Sequence, residues 1–119
     1  MTALSAITNL KKLCSHPELV YEKCQQGTDG FEGALSLFPT NFDPRRLQTD
    51  LSGKLCVLDC LLSLVKSTSN DKIVLVSNYT QTLDLFEKLC RVRSYACVRL
   101  DGSMSIKKRA KVCTDLTND

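Results

Sequence analysis

Residues 72–77 read Lys72-Ile73-Val74-Leu75-Val76-Ser77, an apolar run rich in β-branched side chains. Such a run is typical of a strand that is covered on both faces. Ser52 precedes it as the predicted N-cap of a helix that extends from Gly53 to about Lys66. A second helical pattern follows the run, from Thr80 to Arg91. We therefore expect a buried strand between two helices.

The alternation of strand and helix continues beyond these elements. Tyr95 to Leu100 is a second predicted strand, and Ser105 to about Leu116 is a third predicted helix. Alternation of this kind favours a parallel sheet with right-handed crossovers. Two strands alone do not make a stable open sheet. The expected fold class is therefore α/β, a parallel sheet with flanking helices that forms part of a larger domain.

The first 51 residues have a different character. Apolar spacing predicts a helix from Ala3 to Cys14, and Pro17 should end it because the residue before a proline avoids the α region. A short helix from Glu18 to Lys23 is expected next. From Gly27 to Asp50 the glycines and prolines predict an irregular connection with one helical turn around Ala34.

The composition is that of an ordinary globular domain. Of 119 residues, 43% are hydrophobic and 24% are charged, which excludes a disordered tail or a collagen-like chain. No apolar run approaches about 18 residues, so we expect no membrane span, and no membrane among the partners. The first residues lack the pattern of a secretory signal. We therefore expect an intracellular chain whose seven cysteines are reduced.

Basic residues concentrate in the second half of the chain. Residues 1–60 carry six Lys and Arg against seven Asp and Glu, whereas residues 61–119 carry ten against six. Within residues 88–111, eight basic residues accompany a single acid, Asp101. This excess favours contact with a polyanion. A solvated basic face that binds nothing is an equally good interpretation of the charge alone.

The sequence lacks the motifs of common active sites. It contains neither a Gly-x-x-x-x-Gly-Lys-Ser/Thr loop nor a Gly-x-Gly-x-x-Gly loop. His16 with Cys14 is half of a zinc site at most, so the simpler interpretation is a histidine that closes the first helix. No histidine is available to activate the cysteines, so most of them are expected to be buried structural thiols. We expect no catalytic residue, no metal site and no cofactor in this chain by itself.

Two loops have chemical interest, because each follows a predicted strand and begins a predicted helix. They are residues 77–81, Ser-Asn-Tyr-Thr-Gln, and residues 101–105, Asp-Gly-Ser-Met-Ser. Loops at the carboxyl ends of parallel strands bind ligands, and backbone N–H groups at a helix start attract phosphate. The simpler alternative is that their serines and asparagine only cap helices. The basic run at 107–111 favours contact with a phosphate backbone.

Four blocks of the sequence resemble the Swi/Snf-type, superfamily-two DNA-translocating ATPases. They are Leu-Lys-Lys-Leu-Cys-Ser-His-Pro at 10–17, Ser-Gly-Lys-Leu at 52–55, the run at 72–80 with Leu83-Asp84, and Arg-Leu-Asp-Gly-Ser at 99–103 with Arg109. The blocks occur in the family's order and span residues 10–109. Residues 77–90 and 104–110 resemble most closely the members that act in recombination repair.

The resemblance implies part of an ATP-driven motor that moves on double-stranded DNA in the nucleus, in homologous recombination and double-strand-break repair. That motor has two RecA-like lobes. Residues 52–119 would form an incomplete second RecA-like lobe around motif IV, and residues 1–51 would form a helical and irregular segment that leads into it. ATP and magnesium are implied for the full-length relative. The implied partners are double-stranded DNA, a strand-exchange recombinase and the remaining motor lobe.

The resemblance also implies which residues contact the DNA backbone: Ser77, Asn78, Thr80, Gln81, Gly102 and Ser103. The local charge adds Lys107, Lys108, Arg109 and Lys111 to this set. The motifs that bind ATP and magnesium in the family are missing, so we expect the chain alone to be inactive as an ATPase. The alternative is a truncated, non-catalytic interaction module that docks on a protein partner through an unfinished sheet face.

Overall fold

The computed structural model describes residues 2–28 and 30–118, the last three of them by their backbone alone. The chain forms two compact units, Met1–Val74 and Leu75–Asp119. The boundary between them falls inside the apolar run at 72–77. Each unit is helical.

The first unit begins with α1, Ala3–Ser15, whose N-cap is Thr2. The helix ends before His16 and Pro17, as predicted, and a 3-10 helix follows at Pro17–Val20. The predicted short helix continues as α2, Tyr21–Gln26, which ends at Gly27 in the left-handed conformation. Glycine adopts this conformation without steric cost, which explains why α2 stops there.

The irregular connection predicted between Gly27 and Asp50 is confirmed. It contains 3-10 helices at Ala34–Leu37 and Thr49–Leu51, and the first of these is the helical turn expected around Ala34. Three rings anchor the connection to α2: Tyr21, Phe38 and Phe42 have centroids 4.8 to 5.1 Å apart. Packing of aromatic rings at this distance is stabilising, so the connection is held against the helix.

The helix predicted after Ser52 is also confirmed, as α3, Gly53–Thr68. The Ser52 hydroxyl accepts the Leu55 N–H at 3.1 Å, the expected N-cap bond, and donates to the Ser15 carbonyl at the end of α1. Leu55 and Leu62 on α3 are buried. Together with Val20 and Cys24 they are the buried apolar residues in the described part of the first unit.

The second unit contains α4, Thr80–Arg93, and α5, Ile106–Asn118. Both helices begin and end close to their predicted positions. Ser94 ends α4 with a φ of 58°. Among the residues of this unit whose side chains the structure describes, the buried ones are Thr82, Leu85 and Leu89, all on α4.

The predicted parallel sheet is wrong. Within residues 2–28 and 30–118 the structure contains helices and irregular segments and no strand, so the α/β RecA-like arrangement is not seen. Val74 and Val76 are 80% and 85% exposed, and Val98 and Leu100 are also exposed. A strand exists only through hydrogen bonds to a neighbour, and these two segments do not pair with each other. Apolar, β-branched composition was therefore not sufficient to form a strand.

Over the described ranges, no helix combines the length and the hydropathy that a membrane span requires.

Candidate nucleic-acid interface

Arg99 lies at the centre of the second unit's polar contacts. Its Nη1 donates to Asp84 Oδ1 at 2.5 Å and to Glu87 Oε1 at 2.9 Å, both on α4. Its Nη2 donates to the carbonyl oxygen of Thr80 at 3.1 Å, and its Nε donates to Asp101 Oδ2 at 2.7 Å. A guanidinium can serve several acceptors at once because its donors are held in a fixed planar fork. One side chain therefore contacts the start of α4 and the loop at 101–105.

Asp101 connects Arg99 to the rest of the loop at 101–105. Its Oδ1 accepts the Ser103 N–H at 2.8 Å and the Ser103 hydroxyl at 2.5 Å, while its Oδ2 faces Arg99. The carbonyl oxygen of Asp101 accepts a hydrogen bond from Arg109 Nε at 3.2 Å, one turn into α5. Only 7% of the Asp101 side chain is exposed. The carboxylate therefore holds the loop in one conformation.

These contacts shift the ionisation of both groups. The two Ser103 hydrogen bonds, followed by that from Arg99, lower the pKa of the Asp101 carboxyl below its ordinary value. Hydrogen bonds to Asp84, Glu87 and Asp101 raise the pKa of the Arg99 guanidinium, which is charged in any case. Arg99 and Asp101 are therefore both charged near neutral pH.

The loop at 77–81 has a side-chain hydrogen bond within it and several exposed polar side chains. Ser77 Oγ accepts the Tyr79 N–H at 3.1 Å, which turns the chain into α4. The side chains of Asn78, Thr80 and Gln81 are exposed. The N-cap residue is Tyr79, which makes no side-chain capping bond, so the alternative that Ser77 or Asn78 caps α4 is wrong.

The loop at 101–105 has its own caps. Ser105 Oγ accepts the Lys108 N–H at 3.2 Å and so caps α5, as the simpler alternative held. Gly102 and Ser103 are exposed, and Arg109 Nη2 comes within 4.0 Å of the place where a Cβ on Gly102 would lie. Of the basic run, Arg109 is half-buried, whereas the side chains of Lys107, Lys108 and Lys111 are exposed on α5.

Sequence reasoning assigned no role to Arg99, although it counted this residue in the basic excess and in the motif block at 99–103. It also did not include Asp84 and Glu87 in the site. These two acids lie just before the basic stretch, and their carboxylates form ion pairs with Arg99. The local positive charge is smaller than the count over 88–111 indicated. The spacing of the two acids could have indicated their role, because residues three apart lie on the same face of a helix.

His16 has a structural place in the first unit. It is 1% exposed, its Nδ1 accepts the Glu18 N–H at 2.9 Å, and its Nε2 donates to the Gln48 carbonyl at 2.9 Å. The interpretation that His16 closes α1 is confirmed. It also joins α1 to the irregular connection.

The expectation of buried thiols is mostly wrong. Cys24 is buried and Cys90 is half-buried, whereas five cysteines are exposed: Cys14, Cys56, Cys60, Cys97 and Cys113. No group of three or more potential metal ligands occurs in the described part of the chain. The carboxylates of Asp84, Glu87 and Asp101 all bind Arg99, an arrangement that does not fit the magnesium ion that the resemblance implies.

The chain is similar to known proteins over nearly all of its length. Residues 54–119 match the family described as the helicase conserved C-terminal domain. Relatives called "DNA repair and recombination protein RAD54-like" are 60% identical in Danio rerio, 64% in Gallus gallus and 63% in Homo sapiens, over 94% to 99% of this chain. The chain spans only 15% to 16% of the length of these relatives.

The order of the motif blocks, the high identity and the matched domain agree with one another. The resemblance to Swi/Snf-type, superfamily-two proteins of the RAD54 type is thereby confirmed. Since more than half of its residues match that domain, the chain belongs to the family of the helicase conserved C-terminal domain.

Proposed function

We propose that this chain contributes sequence-independent contacts with the backbone of double-stranded DNA to a translocase of recombination and double-strand-break repair. The contacting groups would be Ser77, Asn78, Thr80, Gln81, Gly102 and Ser103 in the two loops, with Lys107, Lys108, Arg109 and Lys111 beside them. Contacts with phosphates position a protein on DNA without reading its sequence.

The observation that carries this proposal is the link between the two loops. Arg99 binds the Thr80 carbonyl oxygen and the Asp101 carboxylate at the same time. The exposed hydroxyl and amide groups of residues 78–81 and the exposed Gly102 therefore belong to one polar surface. The lysines of the first turns of α5 follow directly in the chain and supply positive charge.

The test is the affinity of the chain for a short DNA duplex, measured by fluorescence anisotropy over a series of salt concentrations. The logarithm of the affinity should fall linearly with that of the salt concentration, with a slope of about −0.9 for each phosphate contacted. Replacing Lys107, Lys108 and Lys111 by alanine should weaken binding and reduce the slope by about 2 to 3.

A matched control removes the same charge elsewhere. Alanine at the exposed Lys11, Lys54 and Lys66 of the first unit changes the net charge equally and should leave the slope unchanged. Absence of salt-dependent binding at low ionic strength would contradict the proposal. Equal losses in the two triple variants would show that only net charge is sensed.

A protein-docking module is the second candidate, and one observation favours it. Leu4, Ile7 and Leu10 on α1 are exposed, and so are Val57, Leu61 and Leu64 on α3. Exposed apolar patches mark interaction sites when they are contiguous. The unfinished sheet face once expected to dock is not present, so docking would use these helix faces. Replacement of Leu61 and Leu64 by serine should abolish such docking and leave DNA binding intact.

The remaining functions concern a longer protein of the RAD54 type. We propose that such a protein uses ATP and magnesium, works with a strand-exchange recombinase and acts in the nucleus. What supports this is the similarity to proteins named for DNA repair and recombination. The present chain lacks a phosphate loop, so we expect it to hydrolyse no ATP by itself.

A further inference from the structure

Most donors of the Arg99 guanidinium are already occupied in the chain without DNA. Four of its five N–H groups donate to acceptors of the protein, which leaves one on Nη2, and 20% of its side chain is exposed. A two-point contact with a phosphate would therefore have to displace a carboxylate or the Thr80 carbonyl. Arg99 is therefore poorly placed for a direct contact with DNA, although it is basic and lies between the two loops.

The acceptors around Arg99 explain what it does instead. Three carboxylates, those of Asp84, Glu87 and Asp101, point at one guanidinium. Without Arg99 they would repel one another and would repel a phosphate backbone that approached the neighbouring loops. The Thr80 carbonyl at the start of α4 would also lose its link to the loop that contains Ser103.

We propose that Arg99 is a positioning residue, which holds the loops at 77–81 and 101–105 in one phosphate-binding arrangement and neutralises the acids beside them. It acts on DNA through Asp101 and Ser103 and makes no phosphate contact of its own. This inference rests on the proposed DNA-backbone contacts and adds the residue that arranges them.

Arg99→Lys is the decisive variant because it keeps the charge. A lysine could act as a point charge toward a phosphate, so a direct contact would largely survive the change. The ammonium group cannot reproduce the planar fork that joins Thr80, Asp101 and the acids of α4. We expect about a tenfold loss of duplex affinity for both Arg99→Lys and Arg99→Gln. Arg91→Gln, an exposed position on α4, controls for charge and should bind more tightly than Arg99→Gln.

A double-mutant cycle separates positioning from a general structural role. Arg99→Lys and Ser103→Ala should be strongly non-additive in duplex affinity, since both interrupt the same chain of contacts. Arg99→Lys and Lys111→Ala should be additive. Far-ultraviolet circular dichroism confirms that the variants keep their helices, and amide exchange of Ser103 in the free chain should be faster in Arg99→Lys.

Asp101→Asn provides a second route should the Arg99 variants lose their helices. It should also weaken duplex binding, because an amide cannot accept from Ser103 and Arg99 with the strength of a carboxylate. A gain of affinity in Asp101→Asn would overturn the proposal, because it would show that Asp101 competes with the DNA phosphate for Arg99 and Ser103.

The outcomes of the experiment are distinct. If the wild-type chain binds the duplex and Arg99→Lys binds equally well, the positioning role is wrong and the proposed DNA contacts stand. If the wild-type chain does not bind at all, the proposed function fails, and the positioning role fails with it. Loss of affinity in Arg99→Lys, coupled to Ser103 and not to Lys111, supports the proposal.

Discussion

His16 has the least exposed polar side chain in the described residues, and it makes two hydrogen bonds to separate segments. Its Nδ1 takes the place of a capping oxygen for the 3-10 helix at Pro17–Val20, while its Nε2 reaches Gln48, 32 residues away. A buried polar group that loses its partner costs about 1 to 3 kcal/mol. The packing of the first unit thus depends on both ring nitrogens.

Replacement of His16 therefore has a graded effect. His16→Ala removes both bonds and leaves a cavity, so the free energy of unfolding should fall by about 3 kcal/mol. His16→Asn keeps an acceptor for the Glu18 N–H and loses the reach to Gln48, so the fall should be about half as large. Urea unfolding measures both, with the exposed Lys11→Ala as control. Equal stability of the two variants would contradict this role for Nδ1.

Cys90 should be the slowest of the half-buried and exposed thiols to react. Burial, followed by the neighbouring Cys97 and Glu87, raises its pKa from the ordinary 9.0 to about 11. Where the pH equals that ordinary pKa of 9.0, about 1% of Cys90 is thiolate, the reactive form. Alkylation with iodoacetamide, followed by mass spectrometry, should label the exposed Cys14 before Cys90, which should react only in strong base. Equal rates for the two thiols would contradict the prediction.

The stability of the loop at 101–105 should depend on the ionisation of Asp101 and so decrease at acid pH. Because the pKa of its carboxyl is lowered in the folded chain, the ionised form stabilises the loop above the ordinary pKa of 3.8. This stabilisation is lost as the pH falls through the lowered folded value. The amide resonance of Ser103 should titrate with a midpoint below 3.8, and the titration should vanish in Asp101→Asn. A midpoint above that value would exclude the hydrogen bonds to Ser103.

At the scale of elements, Ser52 joins two helices. Its hydroxyl caps α3 through the Leu55 N–H and also donates to the last residue of α1, Ser15. Ser52→Ala should lower the free energy of unfolding by about 1 to 2 kcal/mol, because an N-cap and a second bond are lost together. Ser63→Ala, at an exposed position within α3, should change stability little. Thermal unfolding followed by circular dichroism compares them, and equal losses would refute the double role of Ser52.

The helices could be predicted from the sequence because their determinants are local. Ser52 caps α3, Pro17 stops α1, and the spacing of Leu55 and Leu62 defines a buried face. A strand depends on partners distant in sequence, which the composition of residues 72–77 does not encode. The two loops could be recognised because their motifs are local in the sequence. Their connection through Arg99 could not, because it joins residues up to 19 positions apart.

At the scale of the whole molecule, the two units differ in how much apolar surface they bury. The first unit buries Val20, Cys24, Leu55 and Leu62, whereas the buried apolar residues described in the second are Leu85 and Leu89. Stability in a protein follows such local differences in burial. The second unit is therefore expected to be the less stable of the two.

Hydrogen exchange read by mass spectrometry tests this expectation. Amides of α5 and α4 should exchange faster than those of α3, and low concentrations of urea should widen the difference. His16→Ala should speed exchange in α1 and α3, which serves as the internal control. Uniform protection across all the helices, lost in one cooperative step, would show that the units unfold together.

The aromatic cluster of the first unit makes the molecule easy to follow by spectroscopy. The sequence has no tryptophan and three tyrosines, so tyrosine dominates its ultraviolet absorption and emission. Tyr21 is packed against two phenylalanine rings, with Phe38 edge-on at an interplanar angle of 78°. Tyr79 and Tyr95 belong to the second unit. Phenylalanine at both of those positions would leave Tyr21 as the one tyrosine of the sequence, so that unfolding of the first unit could be observed without an added dye.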